Sequence, residues 1–183
     1  MASRHYPIVA HRELWPRFRP NALRQRRHPL VAGRHEILVY QLGEEYLPGP
    51  LDPARAGRAV AATVVDVRRD VSIYTSDRVR SAEAGWEFPI TVIFHCTVVD
   101  PVEVVRARHR RGLSDLRQSL RTALRPGRLD GRHRPGDLAG LRAALVARLE
   151  PQRPVPATPG VRVVVGEVEV RPCVAVDTVS PEA

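Results

Sequence analysis

Phe88-Pro89-Ile90-Thr91-Val92-Ile93-Phe94-His95-Cys96-Thr97-Val98-Val99 runs directly into Asp100-Pro101-Val102-Glu103-Val104-Val105-Arg106. The first part is rich in β-branched and aromatic residues, which suit a pleated, half-buried strand. Alternation puts Ile90, Val92, Phe94, Cys96 and Val98 on one face, the better core candidate, and Thr91, Ile93, His95, Thr97 and Val99 on the other. The strand then meets a dipeptide that cannot continue it. Asp100 is a preferred N-cap, Pro101 tolerates the first helical position because its missing N–H needs no partner there, and Glu103 stands where a capping box places its acid. A buried strand therefore hands over to a helix. Gly112 interrupts that helix and Ser114 offers a fresh start, after which Leu113, Leu116, Leu120 and Leu124 recur at helical spacing. Arg110, Arg117, Arg121 and Arg125 crowd another part of the surface. Like charges four apart cost a few tenths of a kcal/mol per pair, so the stripe calls for acidic partners, in the fold or on a neighbouring copy.

Downstream, Pro126-Gly127 stops the helix, Asp130 to Gly136 reads as a loop, and Asp137 caps a third helix that turns Leu138, Leu141, Leu145 and Leu149 inward. Pro151 to Pro159 is a proline-rich connector. The last strand starts at Gly160 with Val161, Val163 and Val165 on one face, then changes register to Val168 and Val170, which a bulge at Gly166 explains. Arg171-Pro172 closes it, and Val174 to Ala183 reads as a weak strand and a frayed end. Upstream, Ile37 to Leu42 is a short strand and Tyr46 to Pro53 is dense in turn formers. Val60 to Val67 and Val71 to Tyr74 are further apolar runs. Thr75-Ser76-Asp77 then turns the chain into Arg78 to Glu87, an exposed hairpin or loop.

The chain has 183 residues, room for one compact domain plus an arm or tail, and its 43% apolar content is that of an ordinary globular protein. All 29 cations are arginine. The absence of lysine removes P-loop and Schiff-base chemistry at once. Residues 1–35 hold eight arginines against Glu13 alone, or +7 of the net +9. Pro16, Pro20 and Pro29 forbid a long helix there, and Trp15 and Phe18 sit among arginines without a clean period. Residues 1–35 therefore read as an extended basic arm, residues 36–172 as the folded domain and residues 173–183 as a tail. Arg12, Trp15, Arg17, Phe18, Arg19, Arg24, Arg26 and Arg27 suit contact with an anionic lipid surface or, as the alternative, a phosphate backbone. The arginines interrupt any signal-peptide core, and no apolar run approaches a membrane span, which points to the cytoplasm.

Catalytic signatures are missing from the sequence. His95 and Cys96 are neighbours in a strand, so their side chains leave on opposite faces and cannot act as a nucleophile–base pair. Cys96 and Cys173 make neither a disulfide framework nor a zinc site. Asp66, Asp70 and Asp77 straddle a turn and fit no cation loop, so they are expected to pair with Arg68, Arg69 and Arg78. No metal or cofactor is expected.

The order of parts resembles the SPFH or band 7 domain of stomatins, prohibitins and flotillins. The pieces that carry it are Thr75-Ser76-Asp77, Val98-Val99-Asp100-Pro101, Leu116 to Leu124, Leu138 to Leu149, and Gly160-Val161-Arg162-Val163 to Val170, with Tyr46 to Pro50 resembling the family's glycine-proline turn. The resemblance covers roughly Ile37 to Val170. It implies an α+β fold, a mainly antiparallel sheet of about five or six strands with two or three helices packed on it. It also implies a non-catalytic scaffold that forms homo-oligomers at the cytoplasmic face of a membrane, through Arg110, Arg117, Arg121 and Arg125 and a sheet edge. The family's hydrophobic anchor is replaced here by the arginine arm, so attachment falls to an anionic surface or to a membrane-anchored partner protein. The alternative is an arginine-rich nucleic-acid-binding module.

Overall fold

A computed structural model of the chain describes residues 6–14, 30–111, 116–124, 129–149 and 159–176. The fold is α+β. The described strands are β1 (Ile8–Glu13), β2 (Glu36–Leu42), β3 (Glu45–Pro48), β4 (Ala61–Asp66), β5 (Val71–Arg80), β6 (Trp86–Val98), β7 (Val161–Val170) and β8 (Val174–Ala175). The described helices are α1 (Pro53–Ala56), α2 (Pro101–Arg111), α3 (Leu116–Leu124) and α4 (Leu138–Leu149). Instead of one sheet of five or six strands there are two antiparallel four-stranded sheets. The chain groups into two compact units, Met1–Val71 with Cys96–Leu116 and Thr158–Arg162, and Ser72–His95 with Arg117–Ala157 and Val163–Ala183.

The first unit holds the sheet β1-β4-β2-β3. β1 lies inside the stretch read as an arm. It pairs antiparallel with β4, His11 opposite Thr63 and Arg12 opposite Ala62, because its alternation of half-buried and exposed residues gives it an inward face despite the arginine. β4 is buried at every position, and its small residues Ala61, Ala62 and Thr63 let neighbours approach from both sides. Gly43 at φ 65° turns β2 back into β3, so part of the expected turn at Tyr46 to Pro53 is strand, and α1 follows with Asp52 as its cap.

α2 packs on β2 and β3. Its start is the corner expected from the sequence: Asp100 Oδ1 accepts the N–H groups of Val102 at 2.9 Å and Glu103 at 3.0 Å. The reciprocal half of a capping box does not form. Asp100 N–H donates instead to the Gly160 carbonyl, 3.1 Å away, and the Glu103 carboxylate pairs with Arg106. Gly160 sits at φ 78°, and a Cβ there would run into the Asp100 carbonyl and the Val104 N–H. Only glycine brings the chain this close to the corner.

The second unit is built on β5-β6-β7, with β8 pairing β6 through Trp86 and Glu87. The expected turn at Thr75-Ser76-Asp77 is absent. β5 runs straight through, since Ile73, Thr75 and Val79 alternate inward and Ser76 Oγ lies 3.2 Å from Thr91 Oγ1 on β6. The chain reverses only after Arg80, in a hairpin with Gly85 at φ 81°. Ile90, Val92 and Phe94 of β6 are fully buried, as their face requires. β7 alternates up to Val165 and resumes inward at Val168, the slip expected at Gly166. α4 buries Leu141, Leu145 and Leu149, and Asp137 caps it by accepting the Gly140 N–H at 3.0 Å.

Candidate functional site

β5 is an edge strand of ten residues, and its outward face carries Tyr74, 62% exposed, with Ser76, Arg78 and Arg80. Among the described residues, its outer side is met by the chain's own groups towards its C-terminal end, where Asp77 Oδ1 also accepts the Arg78 N–H at 2.9 Å. There Arg80 N–H donates to Asp130 Oδ1 at 3.0 Å and the Arg80 carbonyl accepts from Gly131 at 2.9 Å. A long edge of this kind presents ladder groups to whatever strand arrives.

The residues expected to carry function are placed unevenly. Arg12 is half-buried in β1 and engaged within the fold, so it is not a floating arm cation. Trp15, Arg17, Phe18, Arg19, Arg24, Arg26, Arg27 and Arg125 lie outside the described residues. Of the helical stripe, Arg110 belongs to α2 in the first unit and Arg117 and Arg121 to α3 in the second, and Arg121 is exposed. The sequence did not single out Arg108 on α2. Its Nη1 is buried with no hydrogen-bond partner among the described residues, and burial pulls the guanidinium pKa down.

The aspartates pair selectively. Asp66 is buried and takes a bidentate contact from Arg68, with Nε donating to Oδ1 at 3.1 Å and Nη2 to Oδ2 at 2.6 Å. Asp70 and Asp77 do not pair as expected. Asp70 stands at φ 52° with its N–H donated to Thr97 Oγ1 at 3.0 Å, and Asp77 accepts the Arg78 backbone N–H while the Arg78 side chain reaches Glu87. Arg69 is thereby left facing a cleft of about 480 Å³ in the first unit, lined by Arg69, Asp70, Thr97, Val98, Val99 and Arg162. The cleft was not legible in the sequence, because β4's end, β6's end and β7's start meet there from distant positions.

Neither thiol is activated. Burial pushes Cys96 up to about 12, and Cys173 is also shifted up by burial, with Ser81 and Glu83 as its polar neighbours and no histidine among them. His95 Nδ1 stands 3.4 Å from Ser72 Oγ, and the other edge of its ring lies close to Gly166, where an added Cβ would run into it. His133 Nδ1 contacts Asp137 Oδ2 at 2.8 Å, and that contact, with the Gly140 N–H, holds the Asp137 carboxyl below its ordinary range. No group of three or more metal-ligating side chains occurs among the described residues.

No protein-family model matches the sequence, and no curated protein matches it.

Proposed function

We propose that this protein is a self-associating, non-catalytic scaffold of the SPFH or band 7 type, peripheral at the cytoplasmic face of a membrane. The observation that carries the reading is the β5 edge: ten residues long and, among the described residues, open on its outer side from Val71 to Asp77. Proteins commonly blunt such edges with short strands, prolines or bulges; left open, they pair with another chain. Tyr74 supplies the large amphipathic side chain that anchors such contacts. The order of strand, aspartate–proline corner, helices and closing strand is compatible with the resemblance.

No helix among the described residues is long and apolar enough to cross a membrane. Attachment in this reading is electrostatic, through the arginines between positions 17 and 27, each worth about 1 kcal/mol near an anionic leaflet. The test uses the full chain. Mass photometry and native mass spectrometry are expected to find an assembly well above the monomer, and Ser76→Pro on the β5 edge to dissociate it without unfolding the subunit. Replacing the arginines at 17, 19, 24, 26 and 27 by glutamine is expected to release the protein from anionic vesicles while keeping the assembly. A wild-type chain that stays monomeric at all accessible concentrations overturns the scaffold. A shift of labelled duplex DNA or single-stranded RNA that steepens as salt falls, with no vesicle binding, favours the nucleic-acid alternative.

A further inference from the structure

We propose that the cleft of the first unit binds a phosphate monoester, its dianion held between the Arg69 and Arg162 guanidiniums. In this fold, arginines with a carboxylate in reach use it: Arg55 pairs with Asp52, Arg68 with Asp66, Arg78 with Glu87, Arg106 with Glu103 and Arg171 with Glu169. Arg69 and Arg162 line one cleft and form no ion pair among the described residues. The cleft's own carboxylate does not neutralise them. Asp70 is committed to Thr97, whose hydroxyl donates to Asp70 Oδ1 at 3.4 Å and accepts the Asp70 N–H at 3.0 Å. Among the described residues, Asp70 forms no ion pair with either guanidinium.

Two guanidiniums on one concavity select the anion. A planar fork matches phosphate oxygens two at a time, and a dianion draws on both residues where a monoanion is satisfied by one. The cleft's volume, about 480 Å³, lies in the range of small-molecule sites and exceeds what a bare phosphate fills. Val98 and Val99 supply apolar wall for an organic group, and Asp70 keeps acceptor capacity for a ligand hydroxyl. Glycerol phosphate therefore fits better than inorganic phosphate. The start of α2 contributes nothing here, because Asp100 already occupies the Val102 and Glu103 N–H groups.

The same chemistry exists as a soluble ester and as the headgroup of phosphatidic acid, and the experiment separates them. Calorimetric titration of the full chain with glycerol 3-phosphate, inorganic phosphate and glycerol is run beside sedimentation with vesicles containing phosphatidic acid or phosphatidylglycerol. Saturable binding of glycerol 3-phosphate is expected, weakened at least tenfold by Arg69→Gln and by Arg162→Gln. It is expected to be unchanged by Arg58→Gln, an exposed arginine of the same unit outside the cleft. Arg69→Lys, which keeps charge but loses the fork, is expected to fall between. If only phosphatidic acid vesicles respond, and do so through Arg69 and Arg162, the ester is a lipid headgroup. Binding of none of these probes, or equal weakening by Arg58→Gln, overturns the proposal. Because β5 belongs to the other unit, loss of ester binding with an intact assembly, or the reverse, tells failure of this site from failure of the scaffold reading.

Discussion

β4 in the first unit and β7 in the second are both valine-rich, yet they are buried in different ways. Every residue from Ala61 to Asp66 is covered, including Thr63 and Asp66, whose polar atoms are met by His11 Nδ1 at 2.8 Å and by Arg68. β7 instead alternates, with Val163 and Val165 inward and Val164 43% exposed. A strand covered on both faces must satisfy each buried polar group internally, and β4 does so. A strand with one open face keeps hydrophobic surface in reserve, as β7 does with Val164 and β5 with Tyr74. β4 is thus the more closed of the two strands, while β7 leaves Val164 exposed.

The contrast is sharpest for a charge placed on each strand. Val65→Asp sets a carboxylate at a site with no exposure and is expected to unfold the first unit, whereas Val164→Asp is expected to shift stability within about 0.5 kcal/mol, read by urea denaturation. Two such curves that coincide would mean that β4 is not covered on both faces.

Next in size are two glycines, Gly160 just before β7 and Gly166 within it. Gly160→Ala meets backbone atoms of the β6–α2 corner and a φ that disfavours side chains, for an expected cost of about 3 kcal/mol. Gly166→Ala meets mainly the His95 ring, at an expected cost of about 1 kcal/mol, and adding His95→Ala is expected to recover part of it. Equal costs in the two glycine variants would remove the distinction between a fixed backbone neighbour and a movable side chain.

The smallest effect concerns the two helix caps. Asp100→Ala is expected to cost about 1 kcal/mol at neutral pH. The Asp137 cap carries a pH dependence of its own, because the His133 hydrogen bond and then the Gly140 N–H depress its carboxyl pKa. A depressed acid contributes stability that is complete above its unfolded value, roughly 3.9, and is lost as pH falls through the folded value. α4 is therefore expected to loosen below about pH 4, later in the wild type than in His133→Ala, followed by amide exchange of Gly140 and Leu141. Identical acid profiles for the two proteins would show that His133 does not hold the cap.

Much of the scaffold was legible locally. The buried face of β6, the Asp100 and Asp137 caps, the leucines of α4 and the slip at Gly166 all follow from spacing and capping chemistry within a few residues. β1 was hidden because prolines and arginines on either side of Ile8–Glu13 made the whole segment read as an arm, while its pairing with β4 depends on residues about fifty positions away. The turn placed at Thr75-Ser76-Asp77 failed for a similar reason. Ser76 pairs with Thr91 and Thr75 turns inward, buried, along a continuous strand.

The corner at Asp100 shows where local reading ends. Asp100 and Pro101 start a helix by their own chemistry, whatever surrounds them. Glu103 does not close a capping box, because Gly160 brings its carbonyl to the Asp100 N–H and frees the acid for Arg106. By itself the sequence determined the buried face of β6, the helix starts at Asp100 and Asp137 and the inward leucines of α4, since those follow from side-chain periodicity and short-range hydrogen bonds. Tertiary structure alone decided the division into two sheets, the position of β5 at a sheet edge and the placing of Arg69 and Arg162 on one cleft. Each of these depends on strand partners far apart in the chain, which no local pattern encodes.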